Sequence, residues 1–364
     1  MNEIKHNWTT QEILDIYNKP IMELLYEAAT VHRLHHDPNT VQVSTLLSIK
    51  TGGCSEDCGY CPQAARYHTN VEGNDLMTVK QVKAQALRAK SGGSSRVCMG
   101  AAWRNVKDGE EFDQVLEMVR TINKLDMEVC CTLGMVTENQ AKRLAEAGLY
   151  AYNHNLDSSE EYYKEVISTR GFEDRLKTID NVRKTNVTVC SGGIIGMGEK
   201  VVDRAGMLVA LSTLNPQPES TPINALVAVE GTPLEDQQPI AIWDMVRMVA
   251  TTRIIMPETQ VRLSAGRTQM TREGQALCFF AGANSIFAGD KLLTTPNPDV
   301  DEDMEMFKTL GLIPQKPFTK KVQPQTVEAT ESQFEALGEK PKWTRPEHKI
   351  ERNEQAKQNG KLSK

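Results

Sequence analysis

Three cysteines fall within eight positions of the segment KTGGCSEDCGYCPQ, residues 50–63. They are Cys54, Cys58 and Cys61, and their spacing is C-x3-C-x2-C. Thiolates this close together can hold one metal centre, but closed zinc sites and most iron–sulfur sites take four ligands. The fourth ligand has to come from elsewhere in the chain or from a bound molecule.

Three further cysteines occur at matching places in short apolar segments. The segments are RVCMG (96–100), EVCCTLG (128–134) and TVCSGG (188–193), and QVRLSAG (260–266) carries an arginine at the same place. The matched residues are Cys98, Cys130, Cys190 and Arg262. Three thiolates in an apolar interior need a cation to offset their lost hydration, so the pattern predicts a second metal centre. The alternative is that each is an ordinary core cysteine, which suits one cysteine better than three in register.

The segments that carry these residues predict the strands of a parallel sheet. Strand-plus-helix units take about 30 residues or more, and the matched positions are spaced to fit one, two and two such units. Four more strand candidates fill the gaps: VQVSTLLSIK (41–50), YAYNHNLD (150–157), INALVAVEG (223–231) and SIFAG (285–289). Segments such as KQVKAQALRAK and EDRLKTIDNVRK, with apolar residues three and four apart, predict helices between them. We predict an α/β fold, a (β/α)8 barrel of the TIM type, with a doubly wound open sheet as the alternative.

The chain is predicted to have three parts: an N-terminal extension, the barrel and a C-terminal tail. Residues 1–40 are expected to form a helical extension, in which Thr9 and Glu12 are spaced as a capping box. Three histidines there, His32, His35 and His36, are interpreted as an exposed helix end rather than as zinc ligands. The barrel is expected to span 41–315. Residues 316–364 are rich in Lys, Gln, Glu and Pro and are expected to be disordered.

Charge and hydropathy exclude some classes of protein. The chain carries a net charge of −6, made up of +4 in residues 316–364 and −10 in the rest. An acidic body argues against nucleic-acid binding, which requires cations to neutralise phosphates. No apolar run approaches the ~18 residues that cross a bilayer, and the N-terminus lacks a signal-peptide pattern. A cytoplasmic protein is expected, with its eight cysteines as thiols or metal ligands rather than disulfides.

The cysteine loop, with Tyr60 before its last cysteine, resembles the radical S-adenosylmethionine superfamily. The resemblance implies a 4Fe–4S cluster held by Cys54, Cys58 and Cys61, whose open iron binds S-adenosylmethionine as the fourth ligand. It also implies reductive cleavage of that cosubstrate to a 5′-deoxyadenosyl radical. A zinc loop completed by a distant cysteine is the alternative.

Further segments resemble the biotin synthase family of that superfamily, over roughly residues 10–315. They are GGCSEDCGYCPQ, RVCMGAAWR, YNHNLD, TVCSGGIIGMGE, PINALV, VRLSAGR and LLTTPNP. The resemblance implies a 2Fe–2S cluster held by Cys98, Cys130, Cys190 and Arg262, which donates sulfur to dethiobiotin to form biotin. It also implies reduced flavodoxin or ferredoxin as electron donor, and a homodimer.

Pocket residues follow from the same resemblance. Tyr60, Asn155, Asp157, Arg175 and Ile194 are assigned to the cosubstrate, and Asn153 and Asn224 to dethiobiotin. Read without the resemblance, the Asn and Asp residues are ordinary turn residues after a strand, and Arg175 is a surface helix residue.

Two cysteines are expected to lie outside both clusters. Cys131 adjoins Cys130 and must point to the opposite face of its strand. Cys278, in QALCFFAG, is expected to pack in the core.

Other functions fit less of the sequence. Lipoyl synthase requires an N-terminal cysteine run, and residues 1–53 contain none. The alternatives are another radical enzyme of the biotin synthase-like group, acting on a different small substrate, and an iron–sulfur protein of electron transfer or sensing.

Overall fold

The computed structural model describes residues 4–289 and 291–318. Its strands are β1 (Thr40–Lys50), β2 (Arg96–Ala101), β3 (Glu128–Thr132), β4 (Ala151–Asn153), β5 (Thr188–Cys190), β6 (Gly193–Ile195), β7 (Ser220–Ala225), β8 (Gln260–Leu263), β9 (Ser285–Ala288) and β10 (Ile313–Pro314). Its α-helices are α1 (Thr10–Tyr17), α2 (Ile21–His35), α3 (Val79–Ser91), α4 (Glu110–Asn123), α5 (Glu138–Glu146), α6 (Glu160–Val166), α7 (Phe172–Arg183), α8 (Val201–Ser212), α9 (Ile242–Ile255), α10 (Arg272–Phe280) and α11 (Val300–Leu310), with a 3₁₀ turn at Arg267–Gln269.

Eight parallel strands close into a barrel. The hydrogen-bonded order is β1-β2-β3-β4-β5-β7-β8-β9, and β9 pairs with β1. Each of the eight predicted strand segments contributes one of these strands. The (β/α)8 barrel is therefore confirmed, and the open-sheet alternative is wrong because the sheet has no free edge between β9 and β1.

The fifth barrel strand is in two pieces. Cys190 of β5 pairs with Ser220, and β6 then pairs with the later residues of β7. Gly192 lies at the break, where an added Cβ would stand 2.0 Å from the carbonyl oxygen of Pro222. Only glycine permits so close an approach of two backbones.

The predicted helices lie between the strands and bury one face on the barrel. In α4 the buried residues recur three and four apart, from Phe112 through Val115 and Val119 to Ile122. Thr78 and Thr137 begin α3 and α5 with capping boxes.

The N-terminal helices pack against the barrel's outer helices, α2 on α9 and α1 on α8. The capping box of Thr9 and Glu12 is confirmed. The prediction of an exposed helix end is wrong for His32, whose side chain is buried. His36 contacts Arg253 of α9 through its Nε2, at 2.8 Å from Nη1.

The end of the described chain crosses the lower, N-terminal mouth of the barrel. Strand β10 pairs with the start of β1, and the amide of Phe318 donates to Glu128 at 2.7 Å. The ring of Phe318 contacts that of Tyr150 edge-on. The tail predicted to be disordered lies, from residue 319, outside the described residues. No helix in the described ranges is long and apolar enough to cross a bilayer.

Candidate active site

The barrel lumen holds its polar residues in layers. At the lower end lie Gln42, Arg96 and Glu128, all buried. Two residues further along their strands come Ser44, Cys98 and Cys130. Because side chains alternate between faces of a strand, residues two apart both point into the lumen. Cys98 pairs directly with Cys130, whereas Cys190 pairs with Asn153 and Ser220, so the predicted common register holds for two of the three cysteines.

Cys98, Cys130 and Cys190 form one buried cluster with Tyr150, Phe287 and Leu292. Hydrogen bonds from Cys130 lower the pKa of Cys98, and lower that of Cys190 to about 6. The positive charge of Arg262 acts in the same direction, whereas the pKa of Cys130 is raised. The arrangement stabilises thiolate charge on two of three sulfurs, which suits a cationic group bound between them.

Arg262 completes this layer. It is fully buried, with Nη1 3.7 Å from the sulfur of Cys190. Its Nε donates to Ser285 at 2.8 Å, and its Nη2 donates to Gln42 at 2.8 Å. Its guanidinium also stacks 4.7 Å from the ring centroid of Phe287. These contacts fix the guanidinium with one edge toward the thiols.

A buried ion pair lies directly below. Arg96 donates to Glu128 at 2.8 Å and to both oxygens of Glu219 at 3.0 and 3.1 Å. Its guanidinium lies 4.9 Å from the ring centroid of Tyr150. The bidentate geometry offsets the cost of burying these charges. These ion pairs also hold the residues below the three thiols in place.

The other two cysteines lie where the sequence predicts. Cys131 packs in the outer core between the barrel and its helices, apart from the cluster of Cys130. Cys278 is fully buried in that same outer core.

The cysteine loop lies at the upper, C-terminal end of the barrel. Cys54, Cys58 and Cys61 line a cavity of about 310 Å³ that continues down to Cys98. Burial raises the pKa of Cys54 and Cys58, and raises that of Cys61 to about 12. These thiols become thiolates only if a cation offsets the lost hydration. An iron–sulfur cluster fits that requirement.

A single metal ion is less well accommodated. Within residues 4–289 and 291–318, no three His, Cys, Asp or Glu side chains are arranged to hold one ion. A cluster contains several metal atoms, so its ligands need not converge on one point.

Asp157 joins three segments at the cavity wall. Tyr60 of the cysteine loop donates to its carboxylate at 2.7 Å. Arg175 of α7 forms an ion pair with the same oxygen. Asp157 itself adopts a left-handed φ of 69° just after β4. Tyr60, Asp157 and Arg175, predicted separately, are therefore in contact.

The predicted amides lie on the same wall. The Nδ2 of Asn153 lies 3.6 Å from the sulfur of Cys190, and Asn153 also lines the cavity that contains Cys54, Cys58 and Cys61. Asn224 bonds to the backbone of Gly193 and Ala265. Asn155 accepts a hydrogen bond from a backbone amide at 3.2 Å, and Ile194 also lines the cavity. The structure thus brings all the predicted site residues to one lumen.

Comparison with known proteins gives the family. Biotin synthase of Christiangramia forsetii is 83% identical over 358 residues, which cover 98% of this chain and 99% of that protein. The chain belongs to the biotin synthase family. The mitochondrial biotin synthase of Arabidopsis thaliana is 57% identical, over 86% of the chain and 83% of that protein.

Two domain families divide the barrel of this biotin synthase family member. Residues 48–208 match the Radical SAM superfamily, and residues 222–313 match the Biotin and Thiamin Synthesis associated domain. The chain is an enzyme, a radical S-adenosylmethionine sulfurtransferase. Coverage of 98% also shows that the resemblance continues into the tail, beyond the residue 315 at which it was expected to end.

Solved structures agree on the fold. Methylornithine synthase superposes with a TM-score of 0.71 at 17% identity, covering 91% of this chain and 96% of that one. A maturase of the [FeFe]-hydrogenase gives the same score and identity over 85% of this chain and 72% of that one.

Several residues that line the lumen were not predicted. Arg170 is buried beside Arg175, and both guanidiniums donate to the hydroxyl of Tyr163. Glu56 lies 3.7 Å from Arg170. The sequence did contain a sign of Arg170. In STRGFED this arginine stands just before a helix start, which is marked by the acidic residues Glu173 and Asp174. Thr294 and Thr295 also line the cavity, from the LLTTPNP segment.

Proposed function

We propose that this enzyme inserts sulfur into dethiobiotin to form biotin. In this proposal Cys54, Cys58 and Cys61 hold a 4Fe–4S cluster at the upper end of the lumen. A 2Fe–2S cluster is held below by Cys98, Cys130, Cys190 and Arg262. The observation that carries the proposal is that two thiol sets lie at two depths of one lumen, along a cavity that the amides of Asn153 and Asn224 also line.

The two groups have complementary chemistry. When bound, the upper cluster supplies the electron that cleaves S-adenosylmethionine and the lower one supplies sulfur. The protein's part is to hold the cosubstrate and the substrate in line between them. Arg175 is proposed to attract the cosubstrate's carboxylate, which must share the guanidinium with Asp157. Tyr60, Asn155 and Ile194 complete the cosubstrate side.

Asn153 and Asn224 are proposed to orient dethiobiotin. A ureido ring presents one acceptor and two donors, and carboxamides can match both kinds of group. Asn153 lies beside Cys190, so a ring bonded to it would be held next to the thiols that would bind the lower cluster. The apolar side chains of Leu46, Phe287 and Leu292 line the rest of the lumen and limit water around the radical.

The proposed partners follow from the reaction. An electron must reach the upper cluster, and we propose reduced flavodoxin or ferredoxin as its source. A reducing, cytoplasmic setting is consistent with eight cysteines that are all free. A homodimer is proposed from the family resemblance.

The test is an anaerobic assay of the full chain, reconstituted with iron and sulfide. It is supplied with dithionite or reduced flavodoxin, S-adenosylmethionine and dethiobiotin, and biotin and 5′-deoxyadenosine are measured by mass spectrometry. We expect both products, from protein holding about six irons, the sum of the two cluster types.

Cysteine variants separate the two clusters. Cys58→Ser should abolish both products, whereas Cys98→Ser should abolish biotin and still form deoxyadenosine. Cys278→Ser, at a buried site away from the lumen, is the matched control and should keep both. Deoxyadenosine without biotin from the unaltered chain would indicate a different substrate. Neither product from fully loaded protein would favour an electron-transfer role.

A further inference from the structure

The acidic residue next to the second cysteine of the loop contacts a different part of the barrel. Asp57 precedes Cys58 and is 2% exposed. Its carboxylate faces the turn between α6 and α7, residues 167–171, which is more than 100 residues away in sequence. Nothing in the chemistry of a metal ligand requires a carboxylate at this position, so its contacts call for a separate explanation.

The carboxylate of Asp57 accepts a dense set of hydrogen bonds from this turn. Its Oδ1 accepts the amide of Ser168 at 2.7 Å and the amide of Thr169 at 3.0 Å. The hydroxyl of Ser168 donates to Oδ2, and Nη1 of Arg66 lies 3.6 Å from the same oxygen. The hydroxyl of Thr169 lies 3.0 Å from Oδ1, but it donates its one proton to the closer carboxylate of Glu56. Hydrogen bonds to an ionised acceptor are about twice as strong as neutral ones. A buried carboxylate with three donors from the turn, two amides and a hydroxyl, therefore holds the two segments together.

Backbone contacts extend the same junction on either side. The amide of Gly59 donates to the carbonyl of Val166 at 2.8 Å. The amide of Asp57 donates to the hydroxyl of Thr169 at 3.2 Å. An added Cβ at Gly59 would stand 3.3 Å from that same carbonyl oxygen, so the glycine permits this packing.

The turn that contacts Asp57 is followed in the chain by the two arginines that line the cavity. Arg170 is the next residue after Thr169, and Arg175 lies one turn into α7. Arg175 then meets Tyr60 of the cysteine loop at the carboxylate of Asp157. The loop and the arginines are thus tied together by Asp57, by Glu56 at 3.7 Å from Arg170, and by Asp157.

We propose that Asp57 is a positioning residue that sets the three loop thiols relative to Arg170 and Arg175. This inference rests on the proposed function, in which the thiols hold a cluster and the arginines attract the cosubstrate. Asp57 touches neither. It acts by holding the α6–α7 turn against the cysteine loop. The distance between the three thiols and the arginines that attract the cosubstrate's carboxylate then stays fixed.

The first test does not depend on the proposed function. Iron-free full chain is treated with iodoacetamide, and the alkylation rate of each cysteine is followed by mass spectrometry. In Asp57→Asn an amide NH₂ group, which donates hydrogen bonds, replaces one carboxylate oxygen that accepts them from the turn. The cysteine loop should therefore move more freely against the turn. We expect Cys54, Cys58 and Cys61 to react about tenfold faster or more, because losing a hydrogen bond to a charged group shifts the local opening equilibrium by about that factor. Cys131 and Cys278 should react at unchanged rates and so report that the fold is intact.

The second test uses reconstituted enzyme and measures deoxyadenosine formation against S-adenosylmethionine concentration. Asp57→Asn should raise the KM for the cosubstrate about tenfold, with a smaller fall in kcat. It should also weaken the change that the cosubstrate makes in the electron paramagnetic resonance spectrum of the reduced cluster. A purely structural role would lower iron content and kcat together and leave KM unchanged, which would overturn the proposal.

Two further variants complete the design. Asp75→Asn, an exposed aspartate in the same β1–α3 connection, is the matched control and should change neither readout. Ser168→Ala removes the hydroxyl that donates to Asp57, and Asp57→Asn combined with it should be no worse than Asp57→Asn alone. Additive effects, or unchanged alkylation rates in Asp57→Asn, would contradict the proposal. Failure of the unaltered chain to form deoxyadenosine would refute the proposed function and leave the alkylation result standing.

Discussion

At the scale of single residues, the neighbouring cysteines of β3 show that the alternation of side chains along a strand decides whether each one faces the lumen or the outer core. Cys130 and Cys131 have the same chemistry, yet one joins the lumen cluster and the other the outer core. We expect Cys130→Ser to lose the lower cluster, with about two irons fewer per chain. Cys131→Ser should keep it. Iron counting with the visible spectrum checks both, and loss of that cluster only in Cys131→Ser would reverse the assignment.

Arg262 is the second prediction at this scale. Its guanidinium is held at both edges, by Ser285 and Gln42, with Nη1 left facing Cys190. Lysine keeps the charge but cannot reproduce a planar fork with several donors. We expect Arg262→Lys to fold, to show an altered spectrum of the lower cluster, and to make biotin about tenfold more slowly or worse. Arg33→Lys, on the exposed side of α2, is the control. An unchanged spectrum would remove Arg262 from the ligand set.

The sequence predicted which residues line the lumen because residue type and the alternation of side chains along a strand are both local properties. The Val-Cys repeat fixes which side chains point inward, and the barrel brings them together. The partners of Asp57 could not be found this way, since Ser168 and Thr169 lie more than 100 positions along the chain. Arg175 is similar, because its pairing with Asp157 depends on how α7 meets the end of β4.

At the scale of elements, the fifth barrel strand continues past the glycine that was expected to end it. TVCSGG reads as a strand ended by glycine, but β5 and β6 are separate and both pair with β7. At the break the backbone of Gly192 closely approaches that of Pro222 in the next strand, and no local pattern shows this contact. The break lets Asn155 reach the amide of Gly192, so it helps to shape the cavity wall.

This close approach predicts a stability effect. In Gly192→Ala the new methyl would stand 2.0 Å from a backbone oxygen, which cannot move as a side chain can. We expect a loss of about 3 kcal/mol or more in the free energy of unfolding, at the upper end for overpacking. Gly171→Ala is the control, because its φ is −87° and its nearest atoms lie 3.9 Å away. Urea unfolding measures both, and equal stabilities would show that β7 can shift to accept the methyl.

At the scale of the whole molecule, the N-terminal extension is part of the barrel's packing. The sequence predicts the helices and their capping box, yet it places His32 at an exposed helix end. The sequence of α2 alone does not show that α9 covers it. In the structure His32 is 2% exposed, and Arg253 of α9 and Arg33 lie near enough to oppose a charge on it.

That burial predicts a dependence of stability on pH. Desolvation, aided by Arg253 and Arg33, lowers the pKa of His32 to about 3, against an ordinary value of 6.5. Below pH 6.5 the unfolded chain binds a proton here that the folded chain does not, so stability is lost as the pH falls from 6.5 towards 3. One such group contributes up to about 1.4 kcal/mol per pH unit. Urea unfolding of the iron-free full chain between pH 7 and pH 4.5 should therefore show a shallower pH dependence in His32→Gln. His35→Gln, on the same helix, should keep the slope of the unaltered chain, and parallel slopes for all three proteins would show that His32 charges freely in the fold.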